Sequence, residues 1–249
     1  MMLPPILLTS SVVAMDSTVL LKDQELRIFH TIESIQKWEK IAPNAQFVIC
    51  DGSGFDFSDL LKSHFPYLDI ECLFFMNDSQ KVHDYGKGYG EGEIIRYALE
   101  HSVYLHQSAW FAKCTAKLWV DNFLECVSEW NGQFLCKAFF SHVFSLKKTQ
   151  LEYIDTRFYL VNKRIYEKLF SSVHFELSGQ VGASIEENFL EVVLKKHLKG
   201  VLFKTPPIIS GVGGGSGKYY NTSMLRRLKE MLRSRIVSMN QNFKDLFYG

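Results

Sequence analysis

The sequence lacks the paired cysteines that a zinc site or a disulfide framework requires. Its five cysteines are odd in number, lie far apart and include no Cys-x-x-Cys pair. We therefore expect reduced, buried thiols. An excess of one charge is also lacking, because 28 Lys and Arg residues nearly balance 27 Asp and Glu residues. This balance disfavours a dedicated nucleic-acid binder.

Long hydrophobic runs are lacking as well. The apolar stretch over residues 1–15 is too short to span a bilayer, and it has no positively charged flank of the kind that a signal peptide carries. We interpret it as a first buried strand. We expect a cytoplasmic protein, with at most a peripheral contact to the inner face of the cytoplasmic membrane.

Several catalytic signatures are missing from the chain. There is no Walker pattern, no Gly-x-Gly-x-x-Gly fingerprint and no His-Glu-x-x-His motif. There is also no Gly-x-Ser-x-Gly elbow. These absences disfavour a P-loop nucleotidase, an NAD-dependent dehydrogenase, a zinc protease and an α/β-hydrolase.

What the chain does contain is an alternation of strand and helix patterns. Apolar segments predict strands at Ile6–Ala14, Gln46–Cys50 and Leu68–Phe75, and apolar residues at helical spacing predict helices at Lys22–Ile41 and Asp56–His64. Such β–α units are typical of a parallel sheet covered by helices on both faces. We therefore predict a single α/β domain over residues 1–220 with a mixed, mostly parallel sheet.

The most distinctive segment is the glycine-rich stretch His83–Ser102. Its four alternating glycines predict a loop that runs into a helix beginning at about Glu91. Glycines allow the backbone to approach a ligand, and a helix N-terminus favours an anion such as a phosphate. The alternative is an ordinary connection that uses glycine for turns. The loop residues that we predict to bind a ligand are Lys87, Gly88, Tyr89, Gly90 and Glu91.

Ligands of parallel α/β sheets bind beyond the carboxyl ends of the strands. At that edge we expect Ser10 and Ser11 of the first strand, and Asp51 and Gly52 after the second. The Asp51 carboxylate can accept a hydrogen bond from a nucleobase or a ribose. Its alternative role is that of a turn residue or helix cap. Strand, acidic turn and glycine loop together suggest a nucleotide-sugar site.

Charged residues in the second half add candidates. Lys113 and Lys117 alternate along a probable strand and suit a pyrophosphate, unless they are a solvated face. Asp155 and Arg157 alternate similarly, either to position an acceptor or donor or as a simple polar pair. Glu186 and Glu187 open a predicted helix, where they are a general base or merely complement the helix dipole.

The C-terminal region contains two further features. A strand is predicted at Gly200–Ile209, followed by a flexible glycine run at Gly211–Gly217 that is a candidate hinge or lid. The helix Met224–Val237 then combines five basic residues with an apolar side. We predict that this helix, within a segment over residues 221–249, packs either on the domain or on an anionic membrane surface.

The ordered set of these segments resembles bacterial GT-A glycosyltransferases of capsule and lipopolysaccharide (O-antigen) assembly. The matching pieces include FVICDGSG, KGYGEGEIIRYALEHS, WFAKCTAKLWVDNF, DTRFYLV, SIEENF and GVGGGSGKYY, which lie within roughly residues 6–220. The resemblance implies a Rossmann-like GT-A domain that transfers a sugar from a nucleotide-sugar donor to a growing glycan or a lipid-linked acceptor. It also implies that Asp51 contacts the nucleotide, that Lys113 and Lys117 lie near the phosphate, and that Glu186 or Glu187 is the base.

One departure from that family concerns metal. GT-A enzymes usually hold a divalent cation with an Asp-x-Asp motif, and this chain has none. We therefore expect neither metal nor cofactor, with lysines and loop amides meeting the leaving-group charge. A CMP-sugar, with a single phosphate, would need less neutralisation. Two alternatives remain: a nucleotidyltransferase, whose early glycine- and arginine-containing loop is missing here, and a non-enzymatic scaffold that is peripheral to the membrane.

Overall fold

A computed structural model describes residues 3–177, 184–221 and 223–249 of the chain. Its strands are β1 (Ile6–Ser10), β2 (Phe47–Asp51), β3 (Ile70–Phe74), β4 (Trp110–Thr115), β5 (Leu118–Val120), β6 (Phe134–Ser141), β7 (Gln150–Asn162), β8 (Ile209–Val212) and β9 (Tyr219–Tyr220). Its α-helices are α1 (Gln24–Ile41), α2 (Ser58–His64), α3 (Ser79–Tyr85), α4 (Lys87–His101), α5 (Val103–Gln107), α6 (Phe123–Ser128), α7 (Lys163–Leu169), α8 (Ile185–Lys195), α9 (Met224–Met239) and α10 (Lys244–Phe247). A short 3₁₀ helix spans Val173–Glu176.

The main sheet has six strands in the order β3-β2-β1-β4-β7-β6. Strands β1 to β4 are parallel to one another, and β7 is antiparallel to both β4 and β6. A second, antiparallel sheet joins β5, β8 and β9. The predicted mixed, mostly parallel sheet of a single Rossmann-like α/β domain is therefore confirmed.

The core lies on both faces of the main sheet. Along β1, Ile6 and Leu8 face one side and Leu7 the other, as the two-residue period of a strand requires. Trp38 of α1 packs on the first side, and Ile95 of α4 packs on the second. Near-continuous apolar strands are typical of a sheet that is covered on both faces, and the predicted helical layers on both faces are confirmed.

The prediction of a glycine-rich loop before residue 91 is wrong. Residues 79–85 form α3, and α4 already begins at Lys87, so that Gly88, Gly90 and Gly92 are helical. Glycine is a poor helix former, but here the missing side chains allow close packing. A Cβ on Gly92 would lie 2.2 Å from Cγ of His174, and one on Gly88 would lie 3.0 Å from Cβ of Ile185.

Two predictions near the C-terminus also need correction. Instead of a strand over Gly200–Ile209, the chain makes an isolated bridge between Leu202 and Cys136, and the strand β8 comes later. The glycine run is not a free hinge. Its first residues belong to β8, and it turns back into β9 through a hydrogen bond from the Gly217 N–H to the Gly213 carbonyl, at 2.8 Å.

The basic C-terminal helix is present as α9, and the predicted boundary at residue 220 falls between β9 and α9. No helix within the described ranges combines the length and the apolar character that crossing a bilayer demands. The glycine-containing loop that precedes Glu186 in the sequence, residues 178–183, lies outside the described residues.

Candidate active site

A cavity of about 1020 Å³ opens at the carboxyl ends of β1 and β4. Its walls come from the β1–α1 loop, the first turns of α4, the β4–β5 turn and β7. The start of α8, the glycine turn at residues 213–216 and α9 complete it. This is the edge at which parallel α/β sheets bind ligands, so the fold places the cavity where the sequence predicts a site.

The cavity brings most of the predicted site residues together. Those that line it are Ser10, Ser11, Lys87, Gly88, Gly90, Glu91, Lys117, Asp155, Arg157 and Glu186. Five predicted residues, Asp51, Gly52, Tyr89, Lys113 and Glu187, do not line it. The physical reason differs for each of them.

Asp51 has a structural role next to the cavity. It is fully buried, and its carboxylate accepts hydrogen bonds from the Val12 N–H at 2.9 Å, the Ser53 N–H at 2.7 Å and the Ser53 hydroxyl at 2.6 Å. These bonds fix the loop after β1. Of the two roles that the sequence allowed, ligand contact or turn residue, Asp51 therefore has that of the turn residue. Gly52 is enclosed too, because a Cβ there would lie 2.6 Å from the Ile94 side chain.

The N-terminus of α4 is not an open anion site. The Lys87 N–H donates to the Asp16 carboxylate at 2.9 Å, and Asp16 also lines the cavity. Burial alone would raise the pKa of Asp16, but hydrogen bonds from Thr18 and Lys87 lower it overall. Tyr89 points into the core, with its ring 5.5 Å from that of His174. In the first turn of α4, the group that faces the cavity as a cation is therefore the Lys87 side chain.

Glu91 joins α4 to the sheet at the cavity floor. Its carboxylate forms an ion pair with Lys113 and accepts a hydrogen bond from the Thr9 hydroxyl at 3.2 Å. The Lys113 side chain is fully buried beneath it and also donates to the Thr156 carbonyl at 2.8 Å. Because a buried charge needs a partner, Lys113 holds Glu91 in place rather than reaching into the cavity.

Lys117 is a buried lysine whose pKa is strongly lowered by its surroundings. It follows β4, and the turn that carries it is anchored by Ser34 and Trp38 of α1, which donate to the Leu118 carbonyl at 2.8 and 3.0 Å. Burial, together with the charge of Arg27, lowers the pKa of Lys117 from 10.5 to about 7. The cavity therefore contains a buried amine whose protonated form an anionic ligand would stabilise.

The glycine turn brings its backbone against both cavity lysines. A Cβ on Gly214 would lie 3.0 Å from Cε of Lys117, and one on Gly215 would lie 2.9 Å from Nζ of Lys87. The Leu20 N–H donates to the Gly215 carbonyl at 2.9 Å, which ties the turn to the β1–α1 loop. The two glycines leave open the space beside the lysines that a side chain would otherwise share with them.

Glu186 and Glu187 are adjacent but have different surroundings. Glu187 completes a capping box with Ser184, in which its carboxylate accepts from the Ser184 N–H at 2.9 Å. Glu186 lines the cavity, and burial followed by the charge of Glu91 raises its pKa. Glu186 therefore has the position and the raised pKa of a general base.

Asp155 and Arg157 form a fork-like ion pair on the cavity wall. Arg157 donates through Nε at 2.7 Å and through a terminal nitrogen at 2.5 Å, and its guanidinium lies 4.9 Å from the centre of the Tyr220 ring. Burial alone would raise the pKa of Asp155, but Arg157 lowers it overall. Both remain charged beside the cavity, and this pair presents Arg157 in a fixed orientation.

The polar side of α9 closes the cavity. Glu230 is paired with Lys137 of β6 and with Arg233 of its own helix, both at 2.9 Å. Arg226 and Arg227 of the same helix also line the cavity. Amphipathicity was apparent in the sequence, but only the tertiary structure shows that its basic side contributes to the site.

Three lining side chains have a buried polar atom without a hydrogen-bond partner. They are the Ser10 hydroxyl, the Asn77 amide oxygen and Nε of Arg233. Such atoms are costly unless a water or ligand satisfies them, which makes them candidate ligand contacts. Within the described ranges, no group of three or more His, Cys, Asp or Glu side chains could hold a metal ion.

Sequence reasoning missed several lining residues. Asp16, Asn77, Lys137, Tyr220 and Arg226 all contribute to the cavity. Asp16 and Asn77 follow the ends of β1 and β3, so their position just beyond parallel strands was a usable signal. Lys137 and Tyr220 carry no local signal, because long-range packing alone brings them there.

Comparisons with known proteins give fold-level likenesses only. No protein-family profile matches the chain, and no curated protein does so. The inositol-1-phosphate CTP transferase from T. maritima aligns with a TM-score of 0.50 and 13% identity, over 93% of this chain and 96% of that chain. The galactosyltransferase LgtC, in complex with donor and acceptor sugar analogues, aligns with a TM-score of 0.49 and 9% identity over 76% and 70% of the two chains.

HddC from Yersinia pseudotuberculosis aligns with a TM-score of 0.48 and 12% identity, over 84% of this chain and 93% of that chain. The similar structures thus include both a glycosyltransferase and a nucleotidyltransferase. At such identities the likeness concerns architecture. The chain has the Rossmann-like α/β fold that it shares with the T. maritima CTP transferase.

Proposed function

We propose that the protein is a glycosyltransferase that moves a sugar from a nucleotide-sugar donor to a glycan acceptor. The single observation that carries this proposal is the cavity itself, which combines the cations Lys87, Lys117 and Arg157 with the carboxylate Glu186 at the carboxyl edge of the sheet. Cations suit the phosphates of the donor, and a carboxylate with a raised pKa suits proton abstraction.

The chemical step is a displacement at the anomeric carbon. Glu186 takes the proton from the acceptor hydroxyl, and the oxygen attacks the anomeric carbon. The bond from that carbon to the phosphate oxygen breaks, and its electron pair leaves with the nucleotide phosphate. A raised pKa strengthens Glu186 as a base.

Lys117 and Lys87 stabilise the departing phosphate. Both lie beside the glycine turn, where Lys117 is buried and Lys87 is exposed, and their positive charges stabilise the negative charge that develops on the leaving group. Arg157, held by Asp155, is positioned for the donor or acceptor sugar. In this proposal the lysines replace the metal ion in stabilising the leaving phosphate.

The acceptor that we propose is a growing bacterial surface glycan, as in lipopolysaccharide or capsule assembly, free or lipid-linked. This follows the family resemblance of the motifs that form the cavity walls, including residues 87–91 and 113–117.

The adjacent glutamates provide a matched test. Nucleotide binding is first measured by calorimetry with UDP, GDP and CMP and their sugars, with and without EDTA. Glu186→Gln should then lower turnover by about 10²–10⁴-fold, while the nucleotide Kd stays within about twofold of the wild type.

Glu187→Gln is the control. Glutamine can also accept the hydrogen bond of the capping box, so stability should change little and turnover should be unchanged. Full activity of Glu186→Gln would refute the assignment of the base. Failure of every nucleotide to bind would refute the transferase itself and would favour the non-enzymatic scaffold.

The second candidate is a nucleotidyltransferase. The observation that favours it is the shared fold with the T. maritima CTP transferase, at a TM-score of 0.50. Such an enzyme would join a nucleoside triphosphate to a sugar phosphate and release pyrophosphate. Formation of a nucleotide-sugar from these two substrates, with no transfer to a glycan, would support it and exclude our first proposal.

A further inference from the structure

Helix α9 presents its polar side to the protein. Arg227 pairs with Asp121 at 3.1 Å, Glu230 pairs with Lys137 at 2.9 Å, and the Ser234 hydroxyl donates to the Lys204 carbonyl at 3.0 Å. These contacts recur at helical spacing along one face. The arrangement is the reverse of an ordinary surface helix, in which the apolar face packs on the core.

The apolar side of α9 consequently faces solvent. Seven large apolar side chains of this helix are each between 40% and 80% exposed. They are Met224, Leu225, Leu228, Met231, Leu232, Ile236 and Met239. A contiguous apolar area of this kind marks a contact with a partner or a membrane.

The tip of the β6–β7 hairpin extends the same surface. Phe144 is 48% exposed and Leu146 is fully exposed, and Lys147 and Lys148 follow them. The tip lies against α9, because the Lys229 ammonium group is 5.7 Å from the centre of the Phe144 ring. We call the outer side of α9 together with residues 144–148 the α9 surface.

The charges of the α9 surface have one sign. Lys229 and Arg235 flank the apolar side chains on the helix, and Lys147 and Lys148 flank them on the hairpin. Glu230, the only acid of α9, is turned inward and paired. Isologous contact between two copies would bring like-charged groups together without acids to match them, which is unfavourable.

An anionic bilayer matches both the apolar side chains and the positive charge of the α9 surface. Its acyl region accepts the apolar side chains, and its phosphate groups attract the surrounding cations. We propose that the α9 surface binds an anionic lipid bilayer, with α9 lying in the plane of the interface. This inference is independent of the proposed function, since it uses neither a nucleotide nor catalysis.

The location of this surface has a consequence for the cavity. Arg226 and Arg233 line the cavity on the inner side of the same helix. Membrane binding by α9 therefore places the cavity beside the lipid headgroups. A sugar acceptor that is anchored in the bilayer could then enter without leaving the membrane.

Vesicle flotation of the full chain tests the proposal. Vesicles of phosphatidylcholine alone are compared with equimolar phosphatidylcholine and phosphatidylglycerol, at low and high salt. The wild type should float with the anionic vesicles only, and less so at high salt. The double variant Leu228→Glu/Leu232→Glu should lose flotation, since both side chains are more than half exposed and their replacement leaves the fold intact.

Two further variants complete the test. Lys229→Gln/Arg235→Gln should weaken vesicle binding by about fivefold for each cation removed. Tyr67→Glu changes a side chain that is 98% exposed beside the opposite edge strand β3, and it should float like the wild type. Circular dichroism and urea unfolding verify that each variant folds.

Two results would overturn the proposal. The first is wild-type protein that does not float with anionic vesicles, or floats equally well after Leu228→Glu/Leu232→Glu. The second is a concentration-dependent dimer that this double variant abolishes, which would assign the surface to a second copy. Nucleotide binding measured without vesicles reports on the cavity alone, so the two proposals fail separately.

Discussion

The protonation of Lys117 offers the most direct test of the cavity chemistry. Its side chain is buried in the cavity wall, where burial and the charge of Arg27 lower its pKa from 10.5 to about 7. Near neutral pH about half of the molecules therefore carry a neutral amine. A bound phosphate stabilises the ammonium form, so nucleotide binding should raise this pKa and take up a proton.

The size of the effect follows from the two pKa values. If the bound phosphate restores the ordinary pKa of Lys117, the nucleotide Kd increases by about tenfold per pH unit above pH 7. Between about pH 7 and pH 9 the Kd should thus rise about fiftyfold, which corresponds to about 2.3 kcal/mol. Nucleotide affinity is therefore highest below the pKa of Lys117 in the free protein and is lost as the pH rises.

Isothermal titration calorimetry measures this linkage. Titrations in buffers of different ionisation enthalpy, at several pH values between about 7 and 9, give both the Kd and the number of protons taken up. Lys117→Met should abolish the pH dependence and the proton uptake. Lys87→Met is the matched control, which should weaken binding at every pH but keep the slope.

The stability of the free protein gives a second measurement that needs no ligand. Because the folded-state pKa of Lys117 lies below the unfolded value, the unfolded chain binds more protons between about pH 7 and 10.5. The contribution of Lys117 to the free energy of unfolding should therefore increase as the pH rises through that interval, and Lys117→Met should remove this increase. A Lys117→Met protein with the wild-type pH slopes would refute the reasoning.

Two further predictions concern stability. Gly92→Ala places a Cβ 2.2 Å from Cγ of the buried His174 and should lower the free energy of unfolding by about 2 kcal/mol in urea titrations, because overpacking outweighs the better helix propensity of alanine. Gly90→Ala, whose nearest contact would be 3.2 Å, should change it by less than about 1 kcal/mol, and equal effects of the two variants would contradict the packing argument. Asp155 has a lowered folded-state pKa, so the stability that it contributes is present above its ordinary value of 3.8 and is lost as the pH falls through the folded value. Asp155→Asn should therefore flatten the decline of stability below about pH 4 in acid titrations followed by circular dichroism, and an unchanged acid transition would count against this ion pair.

The alternation of strands and helices was predictable because it rests on local periodicity. The apolar run at residues 6–10 and the helical spacing of residues 24–41 each identify their element without reference to the rest of the chain. The order β–α–β then fixes which strand ends share an edge. The positions of Ser10 and Ser11 beside the cavity follow from that rule.

The glycine-rich segment shows where local reasoning stops. Glycine at 86, 88, 90 and 92 predicts a loop from intrinsic propensity. The chain is helical from Lys87 because His174 and Ile185 pack against the positions where side chains would stand. Packing energy outweighs propensity there, and no sequence window contains these distant partners.

The sequence by itself determined the α/β architecture, the edge at which a ligand would bind and the amphipathic character of α9, since these depend on periodicity and chain order. Only the tertiary structure decided that Glu186 enters the cavity while Glu187 caps its helix, and that α9 turns its basic side inward. The reason is physical: a pattern states that a helix has two faces, but long-range contacts choose which face is buried.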